Sequence, residues 1–204
     1  MLPGVNRTDE GYKCDRFFDF VIAEAKRPEV KRLVLSCAWQ VYFFGPYPHE
    51  AEERSTLYRV ADRAQSVLNP SELQDVLGEL KNRIHDLKAM QKEVVVILPS
   101  PCSQVWNPRK VARWHSGSAF TPGHMSITRK DLEAHVEPLK TKLTEAVIAG
   151  GGRVIDPYDY FEEDGKFGGI HGDGRFRYRD HHHFRAFYVE ERAHFIDEIM
   201  ATGR

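Results

Sequence analysis

The chain is expected to be an α/β protein of three layers, α/β/α, with a mainly parallel sheet inside. Three observations predict this. The runs 33–38 and 93–98 are short and continuously apolar, as strands covered on both faces are. Between them, apolar residues recur at three- and four-residue steps, the spacing of helices with one buried stripe. Finally, the strand and helix patterns alternate along the chain. Alternation of that kind calls for parallel strands joined by right-handed helical crossovers.

The elements are expected in the following order. Residues 1–13 read as irregular, with turn formers Pro3, Gly4, Asn6, Asp9 and Gly11. Phe17, Phe18, Val21, Ile22 and Ala25 give a helix over 15–25, ended by Pro28. A strand over 33–38 leads into Trp39, and residues 39–49, broken by Gly45, Pro46 and Pro48, read as a loop. A short helix is expected over 57–68. A stronger one runs from 70 to 90, with Ser71 as its N-cap and Leu73, Val76, Leu77, Leu80, Ile84 and Leu87 as its stripe. Glu93-Val94-Val95-Val96-Ile97-Leu98 is the clearest strand, stopped by Pro99 and Pro101. A long loop, 100–125, carries Trp106, Trp114, His115 and His124, and loops of that length in compact domains tend to be functional. Thr128 and Asp131 form a cap pair for a helix with Leu132, Val136, Leu139, Leu143 and Val147 inward. Gly150, Gly151 and Gly152 end it, and 153–156 is a short strand. After a Gly-rich turn, a last helix spans 184–200, with Phe187, Tyr188, Phe195, Ile196 and Ile199 inward.

Composition narrows the function classes. The 204 residues fit one domain, with 41% apolar and 29% charged content, as in globular proteins. A net charge of −1 gives no footprint for nucleic acid or an anionic membrane surface. No apolar run approaches the roughly 20 residues of a membrane-spanning helix, and residues 1–7 do not read as a signal peptide. The three cysteines, Cys14, Cys37 and Cys102, have no metal-like spacing, and Cys37 in an apolar strand reads as a buried thiol.

Chemistry concentrates in Tyr178-Arg179-Asp180-His181-His182-His183-Phe184. An acid three residues before a histidine, at a loop-to-helix joint, can accept from Nδ1–H and leave Nε2 free to take a proton from a hydroxyl. Asp180 and His183 are therefore expected as acid and base of a hydrolytic or acyl-transfer triad. The bland alternative is an acidic helix start, favoured by the helix dipole alone. No metal is expected, since adjacent histidines splay apart on a helix and no cysteine or carboxylate cluster completes a tetrahedral set. No other cofactor is implied. The nucleophile is the open question. Ser36 lies in a strand pattern. Ser100 and Ser103 follow the 93–98 strand without a strand-to-helix elbow, and Cys102 has no base nearby in sequence. Ligands of parallel sheets sit beyond the carboxyl ends of the strands. Trp39, Gln40 and Ser100 are the expected substrate contacts there, although core or rim packing is the default for a tryptophan.

The same residues carry a family resemblance. Tyr178 to Phe184, followed by a terminal helix, resembles the last block of SGNH hydrolases, with Phe184 where a leucine is usual. The likeness is to SGNH domains fused to membrane acyltransferases of the acyltransferase-3 type, which modify bacterial cell-surface polysaccharides. Lys31-Arg32-Leu33-Val34-Leu35-Ser36-Cys37-Ala38-Trp39 and Val94-Val95-Val96-Ile97-Leu98-Pro99-Ser100-Pro101 resemble two further strands of those domains, in order. The resemblance implies a flavodoxin-like SGNH fold and roles for Asp180 and His183 as triad acid and base. It implies a serine esterase or O-acyltransferase acting on acetyl or similar esters of glycans, with a membrane acyltransferase as partner domain. An extracytoplasmic or periplasmic site follows if that partner is present, and a cytoplasmic one otherwise. The family's Gly-Asp-Ser block and its opening strand have no match in 1–204, and the Asn-bearing block is not matched near Trp39-Gln40. A single domain incomplete at its N-terminus is therefore expected, because dispensing with a central strand should leave charges or prolines on the bared strands, and 33–38 and 94–98 show none. A homodimer covering the bared edges is another way to fill the gap. The alternative function is a non-catalytic glycan- or partner-binding module that uses Trp39, Trp106 and Trp114 as sugar platforms.

Overall fold

A computed structural model describes residues 2–7, 14–44, 58–60, 63–65, 68–109 and 125–201. Strand β1 is Val5–Arg7, within the stretch expected to be irregular, and helix α1 is Cys14–Ala25. Strand β2, Arg32–Leu35, stops before Ser36. The loop expected over 39–49 begins instead as a helix, α2, Trp39–Phe44. Trp39 and Tyr42 stand three apart with no breaker before Gly45, and both are buried. Residues 45–49 of that loop fall outside the described residues. The helix expected over 57–68 is replaced by two strands, β3, Tyr58–Val60, and β4, Arg63–Gln65. Their antiparallel sheet is completed by β1 far back in the sequence, a pairing that local periodicity does not reveal.

Helix α3, Pro70–Ala89, has Asn69 rather than Ser71 as its N-cap. Asn69 accepts from the Glu72 N–H at 3.0 Å, and the Glu72 carboxylate accepts from the Asn69 N–H at 3.1 Å. Proline at the first helical position fixes that register, since its missing N–H costs nothing there. Strand β5 is Glu93–Ile97, with Val94, Val95 and Val96 fully buried. A single 3₁₀ turn, Gln104–Trp106, follows. Residues 110–124, with Trp114, His115 and His124, lie outside the described residues.

Strand β6, Ser126–Thr128, and helix α4, Arg129–Glu133, come next. The Thr128 hydroxyl accepts from the Asp131 N–H at 3.2 Å, as the cap pair predicts. The single helix expected beyond Thr128 is broken, and α5 spans Glu137–Ala149. Pro138 accounts for the break: inside a continuous helix it would remove one hydrogen bond and clash with the preceding turn. Strand β7 is Arg153–Ile155, α6 is Tyr158–Phe161, and β8 is Lys166–Gly168, antiparallel to β6. The last helix is divided into α7, Ala186–Arg192, and α8, Phe195–Ala201. That division turns Phe195 and Ile199 inward but leaves Ile196 46% exposed, against its expected place.

The last two residues aside, the chain forms two compact units, one of 1–99 with 138–155 and one of 100–137 with 156–202. In the first unit β2, β5 and β7 make a parallel sheet of that order, with Val34 opposite Val95 and Val95 opposite Arg153. The crossovers run through α3 and α5. Helices about a parallel sheet are the parts of a three-layer α/β/α fold. Leu80 and Ile84 of α3, Leu143 and Val147 of α5, Val94 and Val96 of β5, and Phe18 and Ile22 of α1 share one core. The turn after α5 presses on α3. A Cβ at Gly150 would lie 2.9 Å from the Ile84 Cβ, so only glycine fits there. Among the described residues β2 pairs on one side only, and its Val34 is 39% exposed. No described helix is long and apolar enough to cross a membrane.

Candidate functional site

In the second unit, residues 177–185 double back on themselves. Tyr178 and Phe184 form an antiparallel bridge. The Arg179 N–H donates to His183 O at 2.7 Å, and the Arg185 N–H to Arg177 O at 2.8 Å. Helix begins only at Ala186. The tip of this turn holds Asp180 and the three histidines.

Asp180 builds the turn and aims a ring from it. Its Oδ1 accepts the backbone N–H of His182 at 3.0 Å and of His183 at 2.8 Å, the usual habit of aspartate in turns. Its Oδ2 lies 2.8 Å from His183 Nδ1. An ionised carboxylate only accepts, so Nδ1 carries the proton and Nε2 keeps a lone pair. Partial burial works against the charge of Asp180. The His182 N–H, the His183 ring and the His183 N–H outweigh it and hold the carboxyl well below the usual carboxylate range. The His183 side chain is 64% exposed, so the ring is reachable from outside.

The turn stands on a buried aromatic platform. Tyr178 is 2% exposed and stacks on Trp106 with centroids 4.8 Å apart. Its hydroxyl donates to Pro101 O at 3.0 Å. Trp106 is anchored in turn by its Nε1–H, which donates to Met125 O at 2.7 Å. The Ser103 N–H donates to His181 O at 3.0 Å, so the loop after β5 is bound to the histidine turn. Arg177, also buried, pairs with Glu163 and donates to the Tyr188 hydroxyl at 3.2 Å. Sequence reasoning did not assign these supports. The only signal of Tyr178 was its place two residues before Asp180, and burial of Arg177 has no local signature.

The other expected site residues fall differently. Trp39 is 1% exposed and its Nε1–H donates to Ile97 O at 2.7 Å, at the carboxyl end of β5. The position along the sheet is as expected, but the indole is a packed core residue and offers no face to a sugar. Gln40 is buried beside it in α2. Trp106, the second expected platform, is fully buried under Tyr178. Ser100 is half-buried just past β5, and Ser36, expected inside a strand, is exposed one residue past β2. The Ser103 hydroxyl accepts from the Val105 N–H at 3.4 Å and caps the 3₁₀ turn. Cys37, expected buried within the strand, lies two residues past β2 and is half-buried, and desolvation pushes its thiol up to about 11, which keeps it protonated at neutral pH.

The histidines do not splay. Because the segment is a turn and not a helix, the rings of His181 and His182 lie 4.2 Å apart, and those of His182 and His183 3.9 Å. One premise behind the expectation of no metal, the helical splay, is thereby overturned; among the described residues no fourth side-chain donor completes a tetrahedral set.

Comparison with known proteins bears on the family and fold. No curated protein matches the chain. Residues 1–197 match the sequence model of a family described as SGNH domain (fused to AT3 domains). A match over nearly the whole chain shows the relationship: the protein belongs to the family of SGNH domains that occur fused to AT3 domains.

Proposed function

We propose that Asp180 and His183 are the acid and base of a serine esterase or O-acyltransferase that works on acyl esters, acetyl first among them, of cell-surface glycans. Family membership makes the chain a hydrolase- or acyltransferase-type domain associated with membrane acyltransferases. The observation that carries the finer reading is the 2.8 Å bond from His183 Nδ1 to Asp180 Oδ2, on a turn that the same carboxylate shapes. Such a pair fixes the tautomer a general base needs.

The chemistry follows from the free Nε2. A serine hydroxyl brought to about 3 Å of it attacks the ester carbonyl while its proton passes to Nε2. The tetrahedral adduct collapses, the ester C–O bond breaks, and the leaving alcohol takes the proton from His183. The acyl group is then on the serine. Water or a second sugar hydroxyl, deprotonated by the same Nε2, attacks the acyl-serine, giving hydrolysis in the first case and transfer in the second. Asp180 stabilises the imidazolium formed in each half without itself taking a proton. Ser100 is retained as a substrate contact in this reading. Trp39 and Gln40 are not, because both are buried. An extracytoplasmic place of action fits the membrane acyltransferase context.

The test is acetate release from an acetyl ester by the wild-type chain and by His183→Ala. The reading expects the variant to be slower by on the order of 10³-fold or more. Equal rates in both would remove it. Ser100→Ala serves as the companion, and a loss as deep as that of His183→Ala would make Ser100 the nucleophile.

A further inference from the structure

We propose that Asp180, His181 and His182 form a binding site for one divalent ion of the zinc type. Three donor atoms already converge. His181 Nε2 and His182 Nδ1 are 2.9 Å apart. Asp180 Oδ1 is 3.5 Å from His182 Nδ1. One donor atom from each of the three residues lies within 4.8 Å of the others. Tetrahedral zinc, with bonds of about 2.0–2.2 Å, holds its ligand atoms about 3.3–3.5 Å from one another. The two nitrogens would open by about half an ångström, and the Asp180 and His181 donors, within 4.8 Å of each other, would draw together onto the ion.

The site is held, not merely crowded. His181 is 5% exposed, and its backbone carbonyl is bound by the Ser103 N–H. Asp180 is fixed by the two backbone N–H groups it accepts. The His182 side chain is 26% exposed, which leaves a coordination position open to water on that side. Two facing imidazole nitrogens at 2.9 Å must have a proton between them, since two lone pairs would repel. The ion replaces that proton, which leaves to solvent or moves to the ring's other nitrogen. Two imidazoles and one carboxylate suit zinc and its neighbours. Magnesium and calcium, which take oxygen donors, are disfavoured.

A filled site draws on the carboxylate that also holds His183, so the ion would loosen the base. That consequence rests on the catalytic reading above, whereas the site itself does not.

The experiment is calorimetric titration of the tag-free full chain with zinc, repeated with cobalt followed by visible absorption. One ion per chain is expected, with the strong visible bands of tetrahedral cobalt, and a hundredfold excess of magnesium should not displace it. His181→Ala and His182→Ala should each weaken binding by at least about tenfold. His194→Ala, at an exposed position of α8's approach, should leave it unchanged. His182 is the more exposed member of the pair, so His182→Ala carries the test should His181→Ala fail to fold by circular dichroism. Absence of a one-to-one zinc complex in the wild type, or a His182→Ala chain that binds like it, would overturn the proposal. Zinc should also slow acetyl-ester hydrolysis by the wild type and not by His182→Ala. If hydrolysis is absent altogether, the calorimetric result still stands or falls by itself.

Discussion

Strand β5 and the turn at 178–184 each hold their side chains in one place, and they do so by different physics. In β5 the three valines are fully buried between parallel neighbours, and apolar area removed from water holds them. In the turn the working groups are polar and partly open. They are placed by a carboxylate with three hydrogen-bond partners, set on a buried Tyr178–Trp106 stack. The difference teaches where substitutions should be felt. Changes in the first region should lower stability broadly, and changes at the tip of the second should lower activity while leaving the fold intact.

Asp180→Asn is the sharpest way to break that comparison. The amide oxygen can still accept the N–H groups of His182 and His183, but the amide NH₂ faces Nδ1 and favours the wrong tautomer. Ester hydrolysis should fall on the order of 10⁴-fold, with a change in unfolding free energy within about 1 kcal/mol. The converse is expected of Leu80→Ala in α3. Denaturant titration should show a loss of about 3–5 kcal/mol, with the rate per folded molecule unchanged at low denaturant. Tyr178→Phe tests the join between the two regimes. It removes the donor to Pro101 O from a buried position, at about 1–3 kcal/mol. Because the platform carries the turn, both stability and rate should drop.

The smallest effect concerns acid. Partial burial pushes the Glu93 carboxyl up, but hydrogen bonds from Arg153 and Arg32 outweigh it and hold the group low. A carboxyl lowered in the folded state contributes stability above its unfolded value, near pH 4.3, that is lost as pH falls through its folded value. Glu93→Gln should therefore lower stability by about 1 kcal/mol at neutral pH and by progressively less below about pH 4. A constant difference from pH 7 to pH 3 would contradict this account of the Glu93 pair.

How far the sequence could be read follows the same division. Apolar periodicity announced α1, α3 and β5 nearly residue for residue, because burial is what those elements are made of. The alternation of strands and helices announced the parallel pairing of β2, β5 and β7. The β1, β3 and β4 sheet was invisible, since β1 pairs with β3 from far back in the sequence and the strands are three residues each. Pro138 was legible but overlooked within a strong stripe. At the site, the three-residue spacing of Asp180 and His183 foretold their contact but misread its cause. The residues meet across a tight turn, not along a helix start, and for that reason the neighbouring histidines gather where a helix would have spread them. Trp39 had two readings. Its place at the end of the sheet was right, and the default for a tryptophan, core packing, holds against the expected substrate contact.

The claim on which the functional reading depends is that Asp180 keeps the proton of neutral His183 on Nδ1 and presents a bare Nε2. Nitrogen-15 NMR of histidine-labelled protein measures this directly, with His183→Gln to assign the signals. The account predicts the Nδ1–H tautomer for neutral His183 in the wild type and a shift toward Nε2–H in Asp180→Asn. A wild-type ring with its proton on Nε2, or a tautomer ratio that the Asp180 substitution leaves unchanged, would contradict it.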